Sequence, residues 1–472
     1  MSVYRKLISN SMIFAIGNIG NKLIFFLLIP LHTYYLSVNE YGTIDFITTL
    51  VSMILPIITL SIYESVLRFV MDENKDRTQV FTISLLITLV GTLFSVIAYI
   101  IFNILNVYPI NFLGLVLVLL NLQALQVLLA QFSRGIGKIK IFAFNGIFLA
   151  ISIAVLNVIF LVIFELGIKG YLLAFIGGEI LSIFFLALTL KIYKYINLKY
   201  VDISLLKEMI KYSIPLIPNS FLWWIVSASN RVLIIYFIGV GANGLFALAN
   251  KIPGLLTLFY NIFFQAWQLS AIEEYKSKNS SVIFSNVFNY FSVVLFIGTS
   301  IIFAFLKTII GLTVSPEFYD SWNYVPFLLM GVIFANFSGF LGTNYIAAKK
   351  TNGVFKTTLI GGVVNFVMSL IFIPIFGVNG AAFSTMISFF IMWLMRIKDT
   401  KKIVQINMDK KLLTLNFSIL SFQIFILFLN FDYALEMIIE LFLFSIIVFI
   451  NRKLISTASS FIIIKIKKLV LT

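Results

Sequence analysis

The stretch SIPLIPNSFLWWIVSASNRVLIIYFIGVGANGLFALANKIPGLLTLFYNIFFQAWQLS, residues 213–270, decides the fold of this chain. It consists of two apolar segments that fold back at the turn Gly239–Gly244, and each segment carries one cation. Arg231 lies about seven residues before the turn and Lys251 about seven after it, so both lie roughly 10 Å below the membrane surface at about 1.5 Å per residue. A charge at that depth costs about 3 kcal/mol on insertion scales, so it must face protein or water.

The two cations have no acidic residue close to them in sequence, because none occurs between Glu208 and Glu273. A third cation, Lys22, lies near the middle of the first apolar segment, too deep to reach the surface easily. Cations with no acid near them in sequence, if they face a common interior, indicate a water-filled cavity for an anionic substrate. Structural ion pairing is the alternative for Lys22, Arg231 and Lys251.

The composition identifies a polytopic membrane protein. Of 472 residues, 61% are hydrophobic and 11% are charged, which is more apolar surface than a soluble core can bury. The chain has no cysteine, which excludes disulfides and thiolate catalysis, and its single histidine, His32, leaves little scope for a metal site. We therefore expect no cofactor and no metal.

Apolar runs of about 20 residues predict an all-α fold with about fourteen transmembrane helices. The predicted spans are 11–36, 41–70, 79–105, 110–133, 141–164, 170–190, 213–238, 243–270, 282–306, 322–347, 353–376, 379–397, 412–430 and 433–450.

The basic residues predict the orientation of these spans. With the N-terminus in the cytoplasm, most of the 34 Lys and Arg residues fall in cytoplasmic segments, including Arg396 and Lys401 after span twelve. Lys307 is predicted to lie outside the spans. This distribution also explains the net charge of +15 without nucleic acid, because the cations follow an anionic lipid surface. Both termini are predicted to be cytoplasmic, and the turns at Asn243 and Asn379 to face outward.

The chain repeats itself at an offset near 200 residues. Glu40-Tyr-Gly42 aligns with Ala242-Asn-Gly244, and Leu166–Gly170 matches Phe376–Gly380. The repeats predict two six-helix lobes, which we place at residues 1–200 and 201–400, with two further helices and a cytoplasmic tail at 401–472. Transporters with paired halves bind substrate between them. The linker between the lobes predicts an amphipathic helix around KEMIKYS.

Enzymatic chemistry is not supported by any motif. Arg134-Gly-Ile-Gly-Lys138 lacks the other residues of a phosphate-binding loop, and neither paired carboxylates nor a nucleophile with a base is visible. Asp45 and Glu179 are acids within the predicted spans, and we assign them as candidate coupling sites for a proton or sodium ion. Pairing with a buried cation is the alternative.

Four stretches resemble Wzx-type oligosaccharide flippases of the multidrug/oligosaccharidyl-lipid/polysaccharide exporter superfamily. They are LSVNEYGTIDF (36–46), SNRVLIIYFIGVGANGLFALANKI (229–252), FFQAWQLSAIEEYKS (263–277) and IPIFGVNGAAFST (373–385). Many members of the family have Asp before the arginine that matches Arg231, whereas this chain has Asn230.

The resemblance implies a two-lobed fold, shared with multidrug and toxic-compound extruders, that alternates between inward- and outward-facing states. It implies a substrate of undecaprenyl-pyrophosphate carrying an oligosaccharide repeat unit, moved across the bacterial cytoplasmic membrane for capsule, exopolysaccharide or O-antigen assembly. The expected partners are a polysaccharide polymerase and glycosyltransferases. A flippase for a peptidoglycan or teichoic-acid precursor, or a cation/drug antiporter of the same fold, remains an alternative.

Overall fold

The computed structural model describes residues 3–72, 74–105, 112–198, 201–275, 277–348, 350–429 and 431–470. Every regular element in these residues is helical. By contacts the chain separates into two compact units, Met1–Ala228 and Ser229–Thr472. The three-part division at residues 200 and 400 stays a prediction.

The first unit contains the first eight helices and the start of the ninth. These are α1 (Val3–Tyr35), α2 (Val38–Ile58), α3 (Ile62–Val70), α4 (Arg77–Ile104), α5 (Leu113–Gly135), α6 (Ile139–Asn157), α7 (Gly167–Leu190), α8 (Ile203–Ser213) and α9 (Leu216–Phe237).

The second unit contains the end of α9 and eight further helices. These are α10 (Val240–Ala249), α11 (Lys251–Glu274), α12 (Ser280–Thr313), α13 (Val325–Ala347), α14 (Thr351–Phe376), α15 (Val378–Thr400), α16 (Lys410–Phe428) and α17 (Tyr433–Val470). A 3₁₀ segment at Pro316–Tyr324 precedes α13.

The predicted fold class is confirmed. Twelve helical segments in the described residues are long and apolar enough to cross a membrane. In addition, α1 and α9, of 33 and 22 residues, occupy the positions of the first and seventh predicted spans. The protein is therefore an all-α, multi-pass membrane protein with about fourteen spanning helices.

Two predicted spans are interrupted, and prolines mark both interruptions. The second span ends at Ile58, where Leu60 and Ser61 adopt positive φ angles (49° and 51°) before α3 begins. The eighth span divides at Asn250, because Pro253 cannot donate the backbone hydrogen bond that would continue α10 into α11. A run of apolar residues shows that a span exists, but it does not show these breaks.

The predicted amphipathic linker helix is α8, and its apolar side packs on the first unit. Leu205 and Met209 are buried in the same cluster as residues of α3, α4 and α5. Ser65 on α3 donates a hydrogen bond to the Met209 carbonyl (3.0 Å). On the exposed side of α8, Glu208 pairs with Lys75 at 2.6 Å. These contacts hold α8 against the helices it follows.

Candidate substrate and ion sites

The predicted site residues fall in both units. Lys22 is exposed on α1, and Asp45 is half-buried on α2 of the first unit. In the second unit, Arg231 is half-buried on α9, while Lys251 is exposed at the first position of α11. Their convergence on one cavity stays a prediction.

In the first unit, a polar junction joins α1, the end of α6 and α7. The His32 Nε2 atom lies 3.3 Å from the Asn157 Oδ1 atom. The Asn157 amide nitrogen donates to the Ile153 carbonyl (2.8 Å), so its oxygen must be the acceptor and His32 Nε2 must carry a proton. The Tyr171 ring lies against the imidazole in an edge-to-face arrangement, 5.1 Å between centroids. Asp45 is close enough to Tyr171 to interact with it electrostatically. We call the side chains of His32, Asn157 and Tyr171 the first-unit junction, and Asp45 lies close to it.

Glu179 lies deeper in the same unit, on α7, and is only 4% exposed. Its carboxyl has a neutral polar neighbour, the side-chain amide of Gln123. Within the described residues, the Glu179 Oε2 atom has no hydrogen-bond partner. A buried carboxyl with neutral neighbours is a group that can exchange a proton, which keeps Glu179 a candidate coupling residue.

The second unit has an equivalent junction, but its side chains are neutral. Asn230 on α9 donates to the Ala381 carbonyl (3.3 Å) and the Thr385 hydroxyl (2.7 Å) on α15. Its oxygen accepts from Asn365 (3.3 Å) and Ser369 (2.7 Å) on α14. We call these five residues the second-unit junction. Asn230 therefore joins three helices through uncharged groups, directly beside Arg231.

Arg396, which was predicted to lie in a cytoplasmic segment, is a buried cation near the end of α15, and its side of the membrane stays a prediction. Its side chain lies inside the second unit, 5% exposed. The guanidinium donates to the Thr357 and Thr358 hydroxyls (2.9 and 3.0 Å) on α14, and to the Ser338 carbonyl (2.8 Å) on α13. These acceptors are neutral and come from distant parts of the chain, so a local pattern of basic residues could not reveal them.

Lys307, predicted to lie just outside the ninth span, is part of α12, which continues to Thr313. Its ammonium pairs with Glu436 on α17 (2.6 Å) and donates to the Leu427 carbonyl at the end of α16 (3.0 Å). It also lies 4.3 Å from the centre of the Trp322 ring. The sequence analysis did not consider Glu436 or Glu440 as intramembrane acids. Their spacing of four residues on an apolar helix was the available signal.

Comparison with known proteins gives three concordant results. A family model described as polysaccharide biosynthesis protein matches residues 7–268, which is more than half of the chain. A relative, an uncharacterized membrane protein of Methanocaldococcus jannaschii, is 25% identical over 231 residues. That alignment covers 45% of each protein, so the chain spans less than half the length of this curated relative.

Two solved structures share the fold. An inward-facing multidrug resistance MATE family transporter of the MOP superfamily aligns with a TM-score of 0.67 and 14% identity, covering 81% of this chain and 96% of that one. Lipid II flippase MurJ, in an inward closed conformation, aligns with a TM-score of 0.65 and 16% identity. This second alignment covers 94% of this chain and 100% of that one. At these identities the similarity establishes the fold.

Proposed function

Because the chain belongs to the polysaccharide biosynthesis protein family, we propose that it is a flippase for an undecaprenyl-pyrophosphate-linked oligosaccharide. Support for this proposal comes from the family match and from the fold that the chain shares with Lipid II flippase MurJ and a MATE transporter of the MOP superfamily. The substrate is our proposal. It would move from the inner to the outer leaflet of the bacterial cytoplasmic membrane, with both termini of the protein in the cytoplasm.

The observation that carries this proposal is the cationic character of the second unit's first two spans. Arg231 is half-buried on α9, and its neighbour Asn230 makes hydrogen bonds to neutral groups. The sequence from α9 through most of α11 contains no carboxylate. A diphosphate-linked glycan has an anionic, polar head that cannot cross hydrocarbon unaided, whereas its polyprenyl tail can stay in lipid. Cations along the transit path would stabilise the diphosphate.

A flippase for another lipid-linked anion is the second candidate. The MurJ structure aligns with 94% of the chain, whereas the MATE transporter aligns with 81%. Both alignments show the shared fold, so the preference for a lipid flippase over a cation/drug antiporter depends on the charges of the second unit. The scarcity of carboxylates on α9 and α11 agrees with this preference, since an antiporter of cations needs acids in its path.

Charge reversal of the proposed cations tests the function. We expect Arg231→Glu to abolish polymer export in a deletion strain, because like charges 4 Å apart interact by about 4 kcal/mol at an effective dielectric near 20. Arg231→Lys should retain part of the activity, since a point charge still attracts phosphate but lacks the bidentate fork. Lys401→Glu, at an exposed site, is the matched control.

The measurements are polymer export and the membrane level of each variant. Wild-type export by well-expressed Arg231→Glu, Lys251→Glu and Lys22→Glu variants would contradict the cationic path. Export that stops while peptidoglycan synthesis and drug resistance stay normal would separate the proposed substrate from the two alternatives. Dependence on a particular polymerase or glycosyltransferase, the expected partners, can be read in the same strains.

A further inference from the structure

A buried carboxyl between α12, α16 and α17 is not used by the proposed transport path. Glu440 on α17 is 1% exposed, and its Oε2 atom accepts a hydrogen bond from the Gln423 amide on α16 (2.8 Å). The same amide group lies 3.5 Å from the Ser300 carbonyl on α12. Glu440 thus lies where three helices of the second unit meet.

Several oxygen atoms at this meeting point have no hydrogen-bond donor or acceptor among the described residues. They are Oε1 of Glu440, Oε1 of Gln423 and Oγ of Ser300. Gln423 and Ser300 are both completely buried. An ionised carboxylate with one neutral donor and one unsatisfied oxygen is costly in such a place, because nothing replaces the lost hydration.

The nearby cation does not neutralise Glu440, because it is paired with another acid. One turn along α17, Glu436 lies 2.6 Å from the Lys307 ammonium, which also contacts the Leu427 carbonyl and the Trp322 ring. The charged groups that act on Glu440 are therefore Glu436 and Lys307.

The remaining titratable groups on these helices leave the charge count unchanged. On α16 the only ones are Lys410 and Lys411 in its first turn. On α12 and α17 the others are Tyr290, Tyr433 and the basic residues from Arg452 onward. When ionised, Glu436, Glu440 and Lys307 together carry two negative charges and one positive charge. One bound proton therefore makes this group of three side chains electrically neutral.

From this geometry we propose that Glu440 is a proton-binding site, held as the neutral acid between α12, α16 and α17. The proton removes the uncompensated charge and supplies the missing O–H donor beside the unsatisfied oxygens. The site is separate from Asp45 and Glu179, which belong to the first unit. The proposal does not depend on the identity of the transported substrate.

Difference infrared spectroscopy of the full-length protein in lipid nanodiscs tests the site directly. With glutamate labelled in its carboxyl carbon, subtraction of the Glu440→Gln spectrum from the wild-type spectrum at pH 7.5 should leave one protonated-carboxyl band. Glutamine replaces the neutral acid with a group of nearly the same shape, so this variant should fold. Subtraction of the Glu317→Gln spectrum, at an exposed site, should leave no such band.

Two further measurements follow from the charge count. In Lys307→Met, Glu436 loses its partner and should take up a proton, which adds a second band. Exchange of sodium for choline at constant pH should leave the Glu440 band unchanged. The absence of a band in the wild type minus Glu440→Gln spectrum would overturn the proposal, and so would a band that disappears when sodium is added. Neither result depends on transport, so the outcome is independent of the proposed flippase activity.

Discussion

The first-unit and second-unit junctions share a backbone arrangement and differ in their side chains. In each unit a short turn joins two long helices through a glycine with positive φ, Gly167 (53°) or Gly377 (61°). Three residues later a second glycine presses on a backbone carbonyl. A Cβ atom on Gly170 would lie 2.8 Å from the Phe160 oxygen, and one on Gly380 would lie 2.1 Å from the Phe372 oxygen. The repeated glycines of the sequence therefore mark the same close backbone packing in both units.

The side chains next to the two glycine turns differ in their chemistry. The first-unit junction contains His32 and lies close to Asp45, so it holds groups that can gain or lose a proton. The second-unit junction satisfies Asn230 with four neutral hydrogen bonds and holds no ionisable group among its five residues. The difference indicates that pH-dependent behaviour at the junctions belongs to the first unit.

The largest effect is expected from replacing the second glycine of each turn with alanine, because this adds a methyl group next to a backbone oxygen. Gly380→Ala should destabilise the protein by about 1–3 kcal/mol or more, because the obstructing atom is a backbone oxygen in a packed helix pair. Gly170→Ala should cost less, because its contact is longer. Gly254→Ala, at a helical site with nothing within 4 Å, should be neutral or stabilising by up to about 1 kcal/mol. Thermal unfolding in detergent ranks the three. Equal stability of Gly380→Ala and Gly254→Ala would contradict the close packing.

The next effect separates the side chains of the two junctions. Asn230→Ala removes four hydrogen bonds and leaves the buried Ser369 hydroxyl on α14 without its acceptor, which costs about 1–3 kcal/mol before relaxation. His32→Ala removes, among its contacts, the hydrogen bond to Asn157 and the Tyr171 ring contact, and these two should cost about 1–2 kcal/mol. The midpoints of thermal unfolding should therefore fall further for Asn230→Ala. A lower midpoint for His32→Ala than for Asn230→Ala would contradict the stronger hydrogen bonding of the second-unit junction.

The sequence was sufficient to predict the approximate number of spanning helices and the two glycine turns, because both follow from local composition. A span is visible as an apolar run, and the two glycine turns are visible because glycine is needed wherever φ is positive. The same reasoning missed Arg396 and the Lys307–Glu436 pair, whose partners lie 38 to 129 residues away along the chain. It assigned Asn243 to an outward-facing turn, whereas the residue is completely buried in α10. Burial by another helix leaves no trace in a single sequence.

Of the predicted site residues, the structure places Asp45 and Glu179 in polar surroundings that suit their assigned chemistry. Asp45 is close to the first-unit junction, and Glu179 has neutral neighbours. Their coupling roles stay predictions, since nothing near either acid in sequence distinguishes it from a structural carboxylate. The roles of Lys22, Arg231 and Lys251 depend on the relation of the two units during transport and stay predictions.

Ion coupling tests whether the protons that drive transport bind in the first unit. In proteoliposomes, Glu179→Gln and Asp45→Asn should reduce the response of transport to an imposed proton gradient, while Ser369→Ala, in the neutral second-unit junction, should preserve it. Each substitution keeps the helix intact, and ATP should have no effect on any variant. A gradient response that survives in the Glu179→Gln, Asp45→Asn double variant but disappears in Ser369→Ala would reverse the assignment of the two junctions.

The smallest expected effect concerns two helices that both begin at an aspartate cap, α8 in the first unit and α16 in the second. Asp202 accepts hydrogen bonds from the Ser204 amide (2.7 Å) and hydroxyl (3.0 Å), and these bonds lower the pKa of its carboxyl below 3.8. A lowered pKa in the folded state means that the ionised cap stabilises α8 above pH 3.8 and loses this effect as the pH falls through the folded-state pKa. Asp202→Asn keeps a side-chain acceptor and removes the charge, so it should cause a small loss of protection near neutral pH.

Hydrogen exchange of the peptide 203–213, compared between wild type and variant at each pH, should show a difference that shrinks on acidification. The first turn of α16, capped by Asp409 through the Leu412 amide (3.0 Å), is the internal reference and should exchange equally in both proteins. A difference at α8 that grows as the pH is lowered would contradict the sign of the shift, because only an ionised Asp202 distinguishes the two caps.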